Sequence, residues 1–246
     1  MQFNEIAIVI LSCDKFRVTW QPCIDHFFKA WPECQHQVYL LNNFISSKDK
    51  RIKNLLVGED LNWSDTLKKG LLKIEEKRIF FIFDDSFINR FDFEEITSIF
   101  KLAIENNLDS VSFRKKRYGR VKRFNRKLNW LSPNTKYRNS LFLNLFKKKL
   151  LLSLLKSGEN AWQFEKDGNE RNKKFDFYSV SEDDLITYKH GIVKGKWLPK
   201  TYAYLKDEGY LLEENVFKKH NAIQMLRINA YTYIFFLAQK FFHLFK

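Results

Sequence analysis

The chain has 246 residues, of which 45% are hydrophobic and 17% aromatic. This is enough apolar material for one large domain or two small ones, and too much for a disordered segment. Lys and Arg number 43 against 29 acids, leaving a net charge of +14, which predicts attraction to polyanions or anionic lipid. The low Gly and Pro content and the lack of internal repeats exclude collagen-like and linker-rich organisation. The cysteines form no CxxC pair and are predicted to be reduced thiols of a cytoplasmic protein: Cys13, Cys23 and Cys34.

Apolar runs and cap residues predict strands that alternate with helices. The N-terminal run has no basic segment before it, so it is interpreted as a strand and not as a signal peptide. Strands are predicted at 6–11, 37–42, 78–83 and 110–113. Helices are predicted with Pro22 in a first turn, with Ser64 as N-cap, from Asp92 to about residue 106, and at 141–156.

This alternation predicts an α/β fold, in which ligands bind beyond the carboxyl ends of the strands. Cys13–Asp14 and Asp84–Asp85 both follow predicted strands. Adjacent acids at a strand end either cap the next turn or present carboxylates to a cation or a substrate hydroxyl. Their position favours the second interpretation.

The turn after the first strand contains no glycine-rich phosphate loop, which excludes the usual dinucleotide and P-loop sites. A nucleotide would then be bound by side chains. Asp14 could accept from ribose or base, or equally could cap the following helix. An acid near Asp85 could hold a divalent metal on a diphosphate, a combination typical of nucleotide-sugar enzymes.

Short motifs in a fixed order resemble a family of bacterial GT-A-type glycosyltransferases found among capsule and lipopolysaccharide O-chain biosynthesis genes. The resemblance covers about residues 5–200. It implies a GT-A-like domain at 1–215, with a mostly parallel central sheet flanked by helices, and an amphipathic helical tail at 216–246. The motifs are SCDKF (12–16), WPEC (31–34), WSDTL (63–67), FDDSF (83–87), YRNSL (137–141), GENAWQFE (158–165) and HGIVKGKW (190–197).

The resemblance implies a nucleotide-sugar donor, with a UDP-sugar favoured, and a glycan or glycolipid acceptor. Mn²⁺ or Mg²⁺ is left open, because Ser86 follows the two acids where the family usually has a DxD motif. Trp63 could instead be a hydrophobic plug, and His190 a structural residue. The predicted donor-site residues are Ser12, Asp14, Trp63, Ser64, Asp84, Asp85, Lys194 and Lys196; the predicted metal ligands are Asp85 and His190.

The GENAWQFE segment carries the predicted acceptor chemistry. Glu159 is predicted as the base that deprotonates the acceptor, with Asp85 as the second catalytic residue. Trp162 is a predicted acceptor contact, since sugars stack on aromatic faces. Glu165 and Arg138 are predicted acceptor contacts as well. Alternatively, Glu159 caps a helix and Trp162 belongs to the core. Neither inversion nor retention is favoured.

Two basic segments extend the prediction to partners. The run at 114–127 interleaves Lys and Arg with Tyr118 and Phe124. Three interpretations are open: a solvated loop, a contact for a phosphorylated acceptor or the anionic membrane leaflet, and a nucleic-acid site. No nucleic-acid-binding motif accompanies it, so nucleic acid is disfavoured. The tail is predicted to lie on the cytoplasmic face of the inner membrane or to dock on protein, through the apolar residues Ile234, Ala238, Phe241 and Phe245. A nucleic-acid-binding protein and a non-catalytic assembly factor are the alternative functions.

Overall fold

A computed structural model describes residues 5–115, 121–135, 137–213 and 216–244, with side chains described up to 231 and at 233 and 234. The chain divides into two compact units, Met1–Lys189 and His190–Lys246. The predicted domain boundary at 215/216 falls inside the second unit.

The first unit is built on a nine-stranded sheet in the order β3-β2-β1-β4-β9-β6-β10-β8-β7. All of its strands except β9 and β8 run in one direction, which confirms the mostly parallel α/β prediction. A separate pair joins β5 to β11. The strands are β1 Ile6–Leu11, β2 Gln37–Asn42, β3 Lys53–Leu56, β4 Arg78–Phe83, β5 Ser86–Phe91, β6 Ser110–Ser112, β7 Val121–Arg123, β8 Leu128–Leu131, β9 Asn144–Lys147, β10 Phe177–Val180 and β11 Ile186–His190.

Helices cover both faces of this sheet, so its central strands are buried on both sides. The residues of β1 up to Ile10 are nearly inaccessible, as expected for a continuous apolar run in a parallel sheet. Alternation along the strands sends Ala7 and Val9 to the face covered by α2, α4 and α5, and Phe80 to the other face, where its ring lies 5.5 Å from that of Phe100. The helices of this unit are α1 Arg17–Ala30, α2 Trp63–Leu72, α3 Phe93–Glu105, α4 Lys148–Leu154 and α5 Ala161–Arg171.

The order of the strands creates a switch point between β1 and β4. From β1 the chain continues on one side to β2 and β3, then crosses to β4 on the other side of β1. In open α/β sheets, ligands bind outside the carboxyl ends of the strands at such a point. Here those ends carry Ser12 after β1 and Asp84 after β4.

Three local predictions are wrong. The first helix begins at Arg17, so Pro22 lies inside it; burial of Trp20 and Ile24 offsets the lost backbone hydrogen bond. Asn62, not Ser64, caps α2. The predicted helix at 141–156 begins as strand β9, because this segment fills the gap between β4 and β6 and pairs antiparallel with both.

The second unit has a small core around the fully buried Trp197, whose ring lies 5.8 Å from that of Tyr202. It contains the hairpin β12 Ile192–Val193 with β13 Lys196–Trp197, followed by α6 Pro199–Asp207 and α7 Ala222–Leu244. The last helix confirms a helical tail. Phe245 of its predicted apolar face lies outside the described residues, so the amphipathic character stays a prediction. Among the described helices, none has the length and apolar character needed to cross a bilayer.

Candidate functional site

Ser12 and Asp84 join the carboxyl ends of β1 and β4 at the switch point. The Ser12 hydroxyl donates to Asp84 Oδ2, and the Trp20 indole N–H donates to Ser12 Oγ at 2.5 Å. The backbone N–H of Asp84 donates to the Leu11 carbonyl at 3.3 Å. Both residues were predicted for the donor site, and the fold brings them into direct contact.

The two adjacent acids occupy different environments. Asp84 is 6% exposed. Burial raises its pKa well above the usual range and Asp85 raises it further, whereas the Ser12 hydrogen bond lowers it. Asp85 is half-buried. Asp84 therefore serves to hold the turn in place, and Asp85 is the better placed of the two to meet a ligand.

Asp14 ties the end of β1 to the loop that follows β2. Its carboxylate accepts from the backbone N–H groups of Asn43, Phe44 and Ile45 at 3.1, 3.0 and 3.2 Å. Its own backbone N–H donates to Asn43 Oδ1 at 3.1 Å. Three backbone donors on one carboxylate fix this loop beside the switch point. The direct role of Asp14 on a nucleotide stays a prediction.

Trp63 and Ser64 lie at the start of α2, against the turn that contains Glu159. The backbone N–H of Ser64 donates to the Glu159 carbonyl at 3.1 Å. The Trp63 ring is 5.4 Å from that of Phe164 in α5. Asn62 joins the same assembly, because its Oδ1 accepts from the backbone N–H of Gly158 at 3.3 Å. The WSDTL and GENAWQFE motifs are therefore in direct contact with each other.

Glu159 is engaged by an ion pair with Arg171. Arg171 Nη1 lies 2.8 Å from Glu159 Oε1, and Nη2 lies 2.6 Å from Oε2. Glu159 is 8% exposed. With both oxygens bound, this carboxylate would have to leave Arg171 before it could take a proton from a substrate. The helix cap is Asn160, so the capping alternative for Glu159 is wrong.

The predicted acceptor residues separate into two groups. Trp162 is 62% exposed and carries the Lys166 ammonium 4.9 Å from its ring centroid, so it is not part of the core. Glu165 is half-buried on the same helix. Arg138, in contrast, is fully buried. It donates to Asn172 Oδ1 at 2.8 Å and to the Phe175 carbonyl at 2.6 Å, and burial lowers its pKa to about 10. This position contradicts the prediction that Arg138 contacts an acceptor.

Lys194, Lys196 and His190 belong to the second unit. Lys194 has φ of 49° and Gly195 has φ of 70°, the conformation of a two-residue hairpin turn between β12 and β13. The glycine therefore serves the turn, and the predicted diphosphate contact of the lysines stays a prediction. The backbone carbonyl of exposed His190 accepts from the Thr201 hydroxyl at 2.6 Å.

The described part of the chain contains no group of three or more His, Cys, Asp or Glu side chains placed to hold a metal ion. Magnesium commonly uses only one or two protein carboxylates and takes its other ligands from water and substrate phosphates. Asp85 fits that requirement. A metal ion bound mainly by a donor diphosphate is thus compatible with the residues present.

Comparison with known proteins places the fold. No family model and no curated protein sequence matches the chain. A solved UDP-glucose pyrophosphorylase complexed with UDP-glucose aligns with a TM-score of 0.52 and 10% identity, over 82% of this chain and 98% of that one. The chain has a GT-A-like fold.

Structures of the TarS protein from Staphylococcus aureus also align. TarS 1–349 in complex with UDP-GlcNAc gives a TM-score of 0.49 and 13% identity, over 86% of this chain and 68% of that one. The chain spans 59% of another TarS 1–349 structure, over 75% of its own length with a TM-score of 0.47 and 12% identity. It spans 41% of a longer TarS structure.

Three residues that organise the site were not predicted from the sequence: Trp20, Asn62 and Arg171. Asn62 stands three residues before Asp65, a spacing that suits an N-cap. Trp20 and Arg171 carried no comparable signal. Their partners are set by the way α1 and α5 pack on the sheet.

Proposed function

We propose that the chain is a glycosyltransferase that moves a sugar from a nucleotide-sugar donor to a glycan acceptor. The observation that carries this proposal is the position of Ser12, Asp84 and Asp85 at the switch point of a GT-A-like sheet. The place where an α/β sheet binds its ligand is also the place where this chain puts two adjacent carboxylates.

The donor would lie across the carboxyl ends of β1 and β4. The loop at 43–45, fixed by Asp14, would border its nucleoside. Trp63 and Ser64 would support that side. A uridine donor is the first choice for testing, since the pyrophosphorylase that shares the fold is complexed with UDP-glucose.

Asp85 would hold a divalent cation, Mn²⁺ or Mg²⁺, together with the donor diphosphate, whereas the metal-ligand role of His190 stays a prediction. When bound, such a cation supplies positive charge to the departing nucleoside diphosphate. Asp84 would keep the turn rigid through its bond from Ser12. The chain's own contribution is therefore placement of the donor.

The acceptor sugar would stack on exposed Trp162 of α5. Glu159 and Glu165 are the two candidates for the general base. Glu165 has no ion pair with any described residue that would have to be broken for this role, whereas Glu159 has to part from Arg171.

We propose further that the acceptor is a lipid-linked glycan of a bacterial surface polysaccharide, and that the protein works at the cytoplasmic face of the inner membrane. Exposed apolar side chains on α7 support this, namely Ile223, Leu226, Tyr231, Tyr233 and Ile234. The net charge of +14 would attract the surface to anionic lipid.

Calorimetric titration with UDP, GDP and CMP, each with and without Mn²⁺, tests the proposal. We expect one nucleotide to bind, and Mn²⁺ to strengthen its binding. Release of free nucleotide from the matching nucleotide-sugar would exclude a non-catalytic assembly factor. A protein that binds none of the three nucleotides would overturn the proposed function.

A further inference from the structure

Arg114 lies just beyond the carboxyl end of β6, on the same side of the sheet where Asp84 and Asp85 follow the carboxyl end of β4. Phe80 and Val111 are both paired with Leu145 of β9. Phe83, at the end of β4, lies three residues after Phe80, and Arg114, just beyond β6, lies three residues after Val111. The two residues are therefore at the same level, on either side of the segment that leads into β9. Two strand spacings correspond to about 10 Å.

Aromatic contacts hold the Arg114 side chain toward the switch point. Its guanidinium carbon lies 5.6 Å from the ring centroid of Phe142. That ring, which is 4% exposed, lies 5.0 Å from the ring of Phe83, the residue before Asp84. The ring of Tyr188 packs edge-on against that of Phe142, with 4.9 Å between the ring centroids. A guanidinium resting on a ring loses less freedom when it binds an anion.

The backbone around Arg114 is fixed as well. The Ser112 hydroxyl donates to the Arg114 carbonyl at 3.1 Å. The backbone N–H of Lys115 donates to Asp183 Oδ1 at 3.0 Å. Arg114 itself is exposed. A cation with a hydrogen-bonded backbone, an aromatic contact for its side chain and access to solvent is suited to bind a ligand.

We propose that Arg114 binds the diphosphate of the nucleotide-sugar donor. This inference rests on the proposed function and assigns the same site a binding residue in the first unit. A diphosphate placed beside Asp85 meets a carboxylate, and a cation offsets the repulsion between them. The planar guanidinium can donate two parallel hydrogen bonds to phosphate oxygens.

The test compares Arg114→Ala with wild type in binding UDP, uridine and inorganic pyrophosphate. Arg123→Ala is the matched control, because Arg123 is an exposed arginine on β7, the last strand at the far edge of the sheet. We expect Arg114→Ala to weaken UDP and pyrophosphate binding about 10- to 100-fold, the range for a hydrogen bond to a charged group. Uridine affinity should stay unchanged, and Arg123→Ala should bind all three like wild type.

The outcomes separate this inference from the proposed function. If Arg114→Ala binds UDP as tightly as wild type, the inference is overturned while the proposed function stands. If wild type binds no nucleotide, the proposed function fails, and pyrophosphate binding then tests Arg114 by itself. Weaker pyrophosphate binding in Arg114→Ala, but not in Arg123→Ala, supports a phosphate site at Arg114. Equal pyrophosphate affinity of the two proteins, or no pyrophosphate binding by either, would overturn it.

Discussion

Glu159 and Arg171 form a two-contact ion pair that fastens the turn after α4 to the end of α5. The contacts measure 2.8 and 2.6 Å, and Arg171 Nε also donates to the Leu154 carbonyl at 2.9 Å. The side chains are 10% and 29% exposed, respectively. One guanidinium thus links α4, the turn and α5.

Glu159→Gln should therefore lower the free energy of unfolding. An amide can satisfy only part of the guanidinium, and the loss of charge-assisted bonds corresponds to about 1–3 kcal/mol. Urea denaturation measures this change. Glu165→Gln, a half-buried position on α5, is the control and should shift stability by less than about 0.5 kcal/mol. Equal stability of the two variants would mean that the ion pair does not hold the turn.

The same two variants identify the base. Removal of a general base lowers turnover by about 10²–10⁴-fold. We expect Glu165→Gln to show that loss with unchanged nucleotide affinity, because Glu159 is held by Arg171. Initial rates are measured below the unfolding temperature of both variants. A large loss in Glu159→Gln alone would restore Glu159 as the base.

The central part of the fold could be predicted because its signals are local. Apolar runs of strand length marked β1, β2 and β4, and Asp92 marked the start of α3. The prediction of a single helix at 141–156 was wrong, because the leucines of this segment suit a helix as well as a buried strand. Only its two neighbouring strands decide that residues 144–147 are extended.

The candidate site could be predicted in position but not in detail. The rule on strand ends located Ser12, Asp84 and Asp85. Which acid is buried depends on Trp20 and Ser12, contacts made through the packing of α1. The burial of Arg138 likewise follows from Asn172 and Phe175, more than thirty residues further along the chain.

Asn62→Ala should destabilise the protein more than Ser64→Ala. Asn62 Oδ1 accepts from Asp65 N at 3.0 Å, from Ser64 Oγ at 2.9 Å and from Gly158 N at 3.3 Å. Loss of an N-cap costs about 0.5–2 kcal/mol, and here the link to Gly158 is lost as well. Urea denaturation of both variants measures the difference. The sequence prediction of Ser64 as cap requires the opposite order.

Asp84→Asn should change how stability depends on pH. Because burial raises the pKa of Asp84 well above 3.8, the folded state binds this proton more tightly than the unfolded state. The Asp84 contribution therefore weakens the fold as pH rises from about 4 through the raised pKa, at about 1.4 kcal/mol per pKa unit.

An asparagine at position 84 can still accept from Ser12 and does not ionise. The variant should gain stability relative to wild type between pH 4 and pH 8, as measured by urea denaturation at several pH values. Asp167→Asn, an exposed acid of α5, controls for the loss of one charge. A difference between Asp84→Asn and wild type that is constant over this range would show that Asp84 is not the titrating group.

Asp85→Asn should weaken nucleotide binding only where a metal ion takes part. Asp85 is half-buried at the switch point, and an amide oxygen is a poorer ligand for a hard cation than a carboxylate. We expect UDP affinity in the presence of Mn²⁺ to fall about 10-fold or more, affinity without metal to stay unchanged, and turnover to fall with the metal-dependent binding. Calorimetry in Mn²⁺ and in EDTA makes the comparison.

Asp176→Asn is the control for the loss of one acid. Asp176 is exposed and lies at the amino end of β10, away from the carboxyl ends of the strands where Asp85 lies. The asparagine can still accept a hydrogen bond from the Trp130 indole. If Mn²⁺ strengthens UDP binding equally in Asp85→Asn and wild type, Asp85 does not hold the metal.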